Sequence, residues 1–199
     1  QKTQSVTKQA QAAFRYASFF IAIQNTDKTK DTMIAKDKSN AQILSMIKSE
    51  DMHFPPKTIL LEEGKVADKL YLIKKGCLRL FFNNDGREIT FQFFFEGDFV
   101  ASFDSFLSQE PSLLSLESIE ATEVSAIKKE DFFNLIEQSP AARAEYKAKL
   151  IERFRAYRLL FLSRIRDTPQ QRYEALLKNH PDIIRRVPQH HIASYLGIT

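Results

Sequence analysis

Hydrophobic and polar positions alternate most regularly over residues 62–98, where four of the five glycines lie: Gly64, Gly76, Gly86 and Gly97. Leu78, Leu80 and Phe82 alternate with Arg79 and Phe81. Ile89, Phe91, Phe93 and Phe95 alternate with Thr90, Gln92 and Phe94. Period two on both sides of Asn84-Asp85-Gly86 predicts a β-hairpin with one strongly apolar face and one mixed face. Asp and Gly both tolerate the left-handed backbone of a two-residue turn. Short apolar runs at 58–61, 70–73, 113–119 and 123–127 read as further strands. The run 99–106 starts as a strand and then leaves the pattern. Together these predict a compact barrel or jelly roll.

The period changes towards the C-terminus. Residues 129–138 read as a short helix. Ser139 and Pro140 then open a long one, with Ser at the cap and Pro at the first helical position, running to about residue 166. Tyr146, Leu150, Phe154, Tyr157, Phe161 and Ile165 recur at spacings of three or four and are assigned to one face. At 1.5 Å per residue this helix is about 39 Å long, more than a small β-domain covers. Leu150, Phe154, Tyr157 and Phe161 are therefore assigned to a homodimer interface, with packing inside the same chain as the alternative. Helices follow at 170–179 and at 189–196, the second halted by Gly197, with 181–187 as a connector. Before the β-region, residues 10–23 and 41–48 read as helices and 24–40 as a polar loop; Pro55-Pro56 ends the helical part and starts the sheet. The fold class is α+β, with segments 1–53, 54–138, 139–166 and 167–199.

Composition narrows the function. An apolar share of 43% in 199 residues suffices for a core. No apolar run approaches about 18 residues, so no spanning helix and no membrane partner are expected. The N-terminus has no secretory pattern. One cysteine, Cys77, leaves no internal disulfide and no all-cysteine metal site. These features fit a reducing cytoplasm. Charge is uneven: the net value is +3 over 1–53, −6 over 54–140, +7 over 141–186 and zero over 187–199. A basic helical part behind an acidic β-region fits a polyanion met by the C-terminal half, or a long helix with a solvated basic face. A cupin-type metal enzyme needs two or three histidines on its strands, and residues 54–127 hold none.

Residues 189–199, Q-H-H-I-A-S-Y-L-G-I-T, fit the first half of a helix-turn-helix. Ala193 is small where a second helix would cross. Ile192, Leu196 and Ile198 are apolar where they would fill the angle between helices. Gly197 supplies the positive φ of the turn. With G64-x6-L-Y-x-I-x-x-G76-x-x-R79, the N-D-G hairpin and E-G-D98, the chain resembles the bacterial cyclic-AMP receptor/fumarate-nitrate regulator (Crp/Fnr) family over roughly residues 40–199, and most closely a branch common in Bacteroidetes. The resemblance implies a β-roll sensor, a dimerising long helix and C-terminal motifs that enter DNA. It also implies that Gln189, His190 and Thr199 approach phosphates, and that the base-reading helix would begin where the sequence stops.

The resemblance carries departures. Cyclic-nucleotide binders of the family hold the ribose with a Gly-Glu pair and the phosphate with an Arg-Ser or Arg-Thr pair. Those places fall on Ala101-Ser102 and Ser112-Leu113. A buried phosphate without its bidentate cation is strongly disfavoured. The expected effector is therefore an unknown small molecule other than cyclic AMP or GMP, with Gln92, Asp104 and Ser115 also near the pocket and Tyr157 and Arg158 reaching in from the long helix. A solvated Arg158 is the plainer alternative. A cyclic-nucleotide-type module without a DNA role is the alternative for the whole chain. No cofactor, metal or catalytic residue is expected, and His53 alone does not make a haem site.

Overall fold

The computed structural model describes residues 44–198. Eight strands form two four-stranded antiparallel sheets packed face to face. They are β1 (Glu50–Phe54), β2 (Ile59–Leu61), β3 (Lys69–Lys75), β4 (Leu78–Asn84), β5 (Arg87–Phe94), β6 (Phe99–Val100), β7 (Ser115–Ser118) and β8 (Thr122–Lys128). One sheet has the order β1-β8-β3-β6 and the other β2-β7-β4-β5. Their shared core is Tyr71, Ile73, Leu80, Phe94, Val100, Leu116 and Val124 with neighbours. Helix α1 (Phe103–Ser108) lies between β6 and β7, and α2 (Lys129–Gln138) follows β8. The long α3 (Pro140–Arg166) leads to α4 (Pro169–Asn179), α5 (Pro181–Arg186) and α6 (Gln189–Leu196). Ser139 caps α3 by accepting the Ala142 amide at 3.2 Å. Thr168 and Gln171 make a reciprocal capping box on α4.

The hairpin turns on Asp85 (φ 52°) and Gly86 (φ 83°), both left-handed as a two-residue turn requires. Its faces differ from the simple alternation. Leu80 pairs with Gln92 but Phe81 pairs with Thr90, so Phe91 is an extra residue in a bulge. One inserted residue reverses the facing of everything beyond it. Phe94 therefore enters the β-roll core, while Phe93 and Phe95 pack with the C-terminal helices.

Three further expectations are corrected. The sheet begins at Glu50, before Pro55-Pro56, because 50–54 pair in register with β8. The connector at 181–187 is helix α5, opened by Pro181 at its first position. The stripe on α3 is two stripes. Tyr146 packs on Phe132 at 5.5 Å and Tyr157 on Phe91 at 5.6 Å, both inside the chain. Phe154, Phe161 and Ile165 are open, together with Ile151 and Leu162. The helix proposed at 10–23 and the loop at 24–40 lie outside the described residues; of the helix proposed at 41–48, the described part is helical at 44–45 and has left the helix by 46–48.

Gly76 joins β3 to β4 at φ 105°, a region L side chains rarely adopt. A Cβ there would lie 2.7 Å from Thr122 Cα and 2.8 Å from the Ala121 carbonyl oxygen. Both obstacles are backbone. Gly76→Ala should lower stability by at least about 3 kcal/mol. Denaturant unfolding checks this; a loss below about 1 kcal/mol would mean the turn relaxes easily.

Candidate functional site

Strand β6 runs into Ala101 and Ser102, both buried, and then into α1. The chain returns through Ser112. Ser112 Oγ lies 2.7 Å from Ser102 Oγ, donates to the Leu114 carbonyl at 2.6 Å and accepts the Leu114 amide at 3.0 Å. The two serines thus satisfy each other across the loop. Only about 10 Å³ of space remains beside Ala101, Ser102, Ala67 and Tyr71. Leu113 points away and is 76% exposed. Ser115 accepts the Glu63 amide at 2.9 Å, and Asp104 is exposed.

The residues expected to line one pocket therefore occupy three places. Ala101, Ser102 and Ser112 form the closed loop just described. Gln92 and Tyr157 line a different cavity, between α3 and the C-terminal helices. Leu113 and Arg158 are at the surface, and Arg158 lies beside Phe154 and Phe161 on the open face of α3. The residue that α3 does send to the mouth of the β-roll is Arg153. Its guanidinium stands 5.7 Å from the Phe94 ring and 5.3 Å from the Phe103 ring, and Nη2 donates to the Phe99 carbonyl at 3.0 Å. Its Nη1 is buried without a hydrogen-bond partner among the described residues. Arg153 lies one turn before Tyr157, so the inward face of α3 was the signal that could have found it.

Helix α6 spans Gln189–Leu196 and stops at Gly197, within the expected bounds. Gly197 has φ 67°, and the Gly197 and Ile198 amides close back on Ser194 and Ala193. Ile192 and Leu196 are buried with Leu176, Ile183 and Val187, while Ile198 stays half exposed. Gln189 and His190 are exposed; Thr199 lies outside the described residues.

The other side of α6 is fastened to the β-roll. Thr90 donates its amide to Ser194 Oγ at 3.1 Å, and the two hydroxyls meet at 3.0 Å. Phe93 and Tyr195 rings are 5.3 Å apart. Arg186 pairs with Glu96 at 2.7 Å and also with Glu120. Cys77 belongs to the same cluster, and burial pushes its thiol up, out of the reactive range. Burial raises the Glu96 carboxyl, but hydrogen bonds from Arg186 and backbone amides outweigh that and leave it below the ordinary 4.5.

His191 makes this fastening acid-sensitive. Burial first, then the positive charges of Arg79, His190 and Lys57, lower its pKa from 6.5 to about 4, against the opposing charge of Glu88. A depressed pKa means that the unfolded or undocked state takes up protons first. Stability is full above pH 6.5 and falls as pH drops towards 4. Glu96 adds loss in the same direction lower down. The protection factors of the α6 amides, taken against the intrinsic exchange rate at each pH, should fall between about pH 6.5 and 4. Unchanged protection over that window would contradict the assignment.

Residues 51–139 match the cyclic nucleotide-binding domain model. The cAMP-activated global transcriptional regulator CRP of Escherichia coli is 26% identical over 101 residues, covering 50% of this chain and 48% of that protein. The chain thus spans about half the length of the curated relatives it matches. Among solved structures, FixK2 of Bradyrhizobium japonicum superposes with a TM-score of 0.64 at 19% identity, over 77% of this chain and 79% of that one. The global regulator CLP of Xanthomonas campestris gives 0.61 at 18%, over 82% and 86%. Residues 51–139 thus carry a cyclic nucleotide-binding-type domain, and the matches support a regulator similar to the Crp/Fnr family. The β-roll and C-terminal helices follow the fold of those regulators, and no described helix is long and apolar enough to cross a membrane.

Proposed function

We propose that the chain is a homodimeric, DNA-binding transcription regulator whose β-roll does not take a cyclic nucleotide. The observation that carries the second half is the Ser102–Ser112 contact. In the register that the resemblance implies, these two serines take the positions of the ribose acceptor and the phosphate cation, and about 10 Å³ of space remains beside them. A cyclic nucleotide needs a cavity of several hundred Å³ on the usual scale of ligand sites. Arg153, the nearest guanidinium on α3, is held by two aromatic rings and the Phe99 carbonyl.

Dimerisation is supported by the open face of α3. Ile151 and Phe154 are three apart, as are Leu162 and Ile165, and the eight residues from Phe154 to Leu162 are about two turns, with Phe161 alongside. All five are exposed within one chain, and a second copy meeting the same stripe about a two-fold axis covers it most simply. DNA binding is supported by α6, its small Ala193 and its left-handed Gly197. The family's β-roll effector domain and long helix precede it.

Selection of genomic DNA fragments on the purified protein tests the reading. Enrichment of two-fold symmetric sites, with affinity falling steeply with salt, is the expected result. Failure to enrich any sequence would favour the module without a DNA role, a reading that the fastening of α6 to β5 also accommodates.

A further inference from the structure

A second cavity, of about 70 Å³, opens where α3 meets the C-terminal helices. Tyr157 and Leu160 of α3, Leu176 of α4 and Leu196 of α6 supply apolar walls, and Gln92 of β5 lines its sensor side. Gln92 is 8% exposed, and its Oε1 is buried with no hydrogen-bond partner among the described residues. Buried amide groups are almost always paired, so an unpaired one beside open space marks a place for a donor.

Three arginines line the same cavity, and one of them, Arg166, is already paired with Asp167 at 2.8 Å; Arg164 and Arg172 remain. Arg164 donates to the Tyr195 carbonyl, and Arg172 donates to the Leu196 carbonyl at 2.8 Å and the Asp167 carbonyl at 2.5 Å. They converge on the turn: a Cβ on Gly197 would be 3.0 Å from Arg164 and 3.8 Å from Arg172. Neither pairs with a carboxylate among the described residues; their acceptors there are the backbone carbonyls of Tyr195 and Leu196 in α6 and of Asp167 after α3. Two half-buried cations side by side, answered by neutral acceptors alone, leave room for an anion. Burial lowers the Arg164 pKa, with the positive charge of Arg172 adding to it against the tyrosine at 195.

We propose that this junction cavity binds a small carboxylic acid, with its carboxylate against Arg164 and Arg172, its short apolar body against the leucines and a hydrogen-bond donor against Gln92 Oε1. The cavity is far too small for a nucleotide. Its walls are too apolar for inorganic phosphate, which would leave the leucines unmatched. Because the walls come from a sensor strand, the long helix and the helix-turn-helix region, occupancy fixes where α6 sits relative to α3. That regulatory consequence rests on the function proposed above; the binding itself does not.

Calorimetric titration of the whole chain with hexanoate and with 2-, 3-, 4- and 6-hydroxyhexanoate tests this, with 1,6-hexanediol as the uncharged control. At least one hydroxy acid should bind saturably, about tenfold more tightly than hexanoate, and the diol should not bind. Gln92→Leu, nearly equal in volume, should erase the preference for the hydroxyl and leave hexanoate binding in place. Ala175→Trp should fill the cavity and abolish both, with circular dichroism confirming the fold. Saturating acid should also slow hydrogen exchange in α6. No binding by any acid would overturn the proposal. So would binding that ignores Gln92→Leu and survives Ala175→Trp. Neither outcome depends on whether the chain dimerises or meets DNA, so failure here is separable from failure of the proposed function.

Discussion

Replacing Arg79 with methionine should lower stability by about 3–5 kcal/mol, the largest single-residue effect expected outside the glycine turn. The side chain is 1% exposed. Its Nε donates to Glu117 at 2.6 Å, Nη1 to Thr90 Oγ1 at 3.3 Å and Nη2 to Glu88, and the guanidinium stacks 4.0 Å over Phe81. Methionine nearly fills the volume but leaves the Glu117 carboxylate, itself 13% exposed, without its cation. An unpaired buried charge costs more than the lost pair is worth. Adding Glu117→Leu to the same chain should therefore recover much of the loss, because a buried ion pair exchanged for apolar groups is often close to neutral. Thermal unfolding checks both variants, with the single one expected to melt roughly 10 °C lower or more. A loss under about 1 kcal/mol for Arg79→Met would mean that the cluster is effectively solvated.

The second large effect concerns assembly. With a second copy seated on the open face of α3, Phe154→Glu with Phe161→Glu places two charges in each half of an apolar interface. The dissociation constant should rise by roughly several hundredfold. Phe154 and Phe161 are 72% and 65% exposed in the single chain, so the protomer fold itself should barely change. Sedimentation should move from twice the chain mass of 23.0 kDa towards one. Tyr157→Leu is the control. Tyr157 faces Phe91 in its own chain, so that change should alter stability and leave assembly nearly intact. An unchanged sedimentation profile for the double glutamate variant would remove the α3 dimer.

The β-roll was legible because its signals are local. The two-residue turn at Asp85-Gly86, the Ser139-Pro140 start of α3 and the Gly197 stop of α6 each need one residue type at one place, and each lies where the spacing put it. Facing was less legible. The bulge at Phe91 adds one residue to β5, which no alternation rule foresees, and it sends Phe93 and Phe95 to a second core. On α3, both faces are apolar, so a single helical stripe merged Tyr146 and Tyr157 with Phe154 and Phe161. The site was legible in part. Ala101, Ser102 and Ser112 come together, but Gln92 and Tyr157 belong to a cavity made by helices far along the chain. Arg153 and the Ser194–Thr90 contact depend on separations of 54 and 104 residues, which leave no local trace.

The central claim is that the serine pair has replaced the cyclic-nucleotide site. Calorimetric titration of cyclic AMP and cyclic GMP into the purified protein tests it most directly. No heat of binding is expected at high micromolar ligand. Saturable binding at low micromolar concentration would contradict it, and would mean that the Ser102–Ser112 contact opens and that Arg153 or Arg158 supplies the phosphate cation.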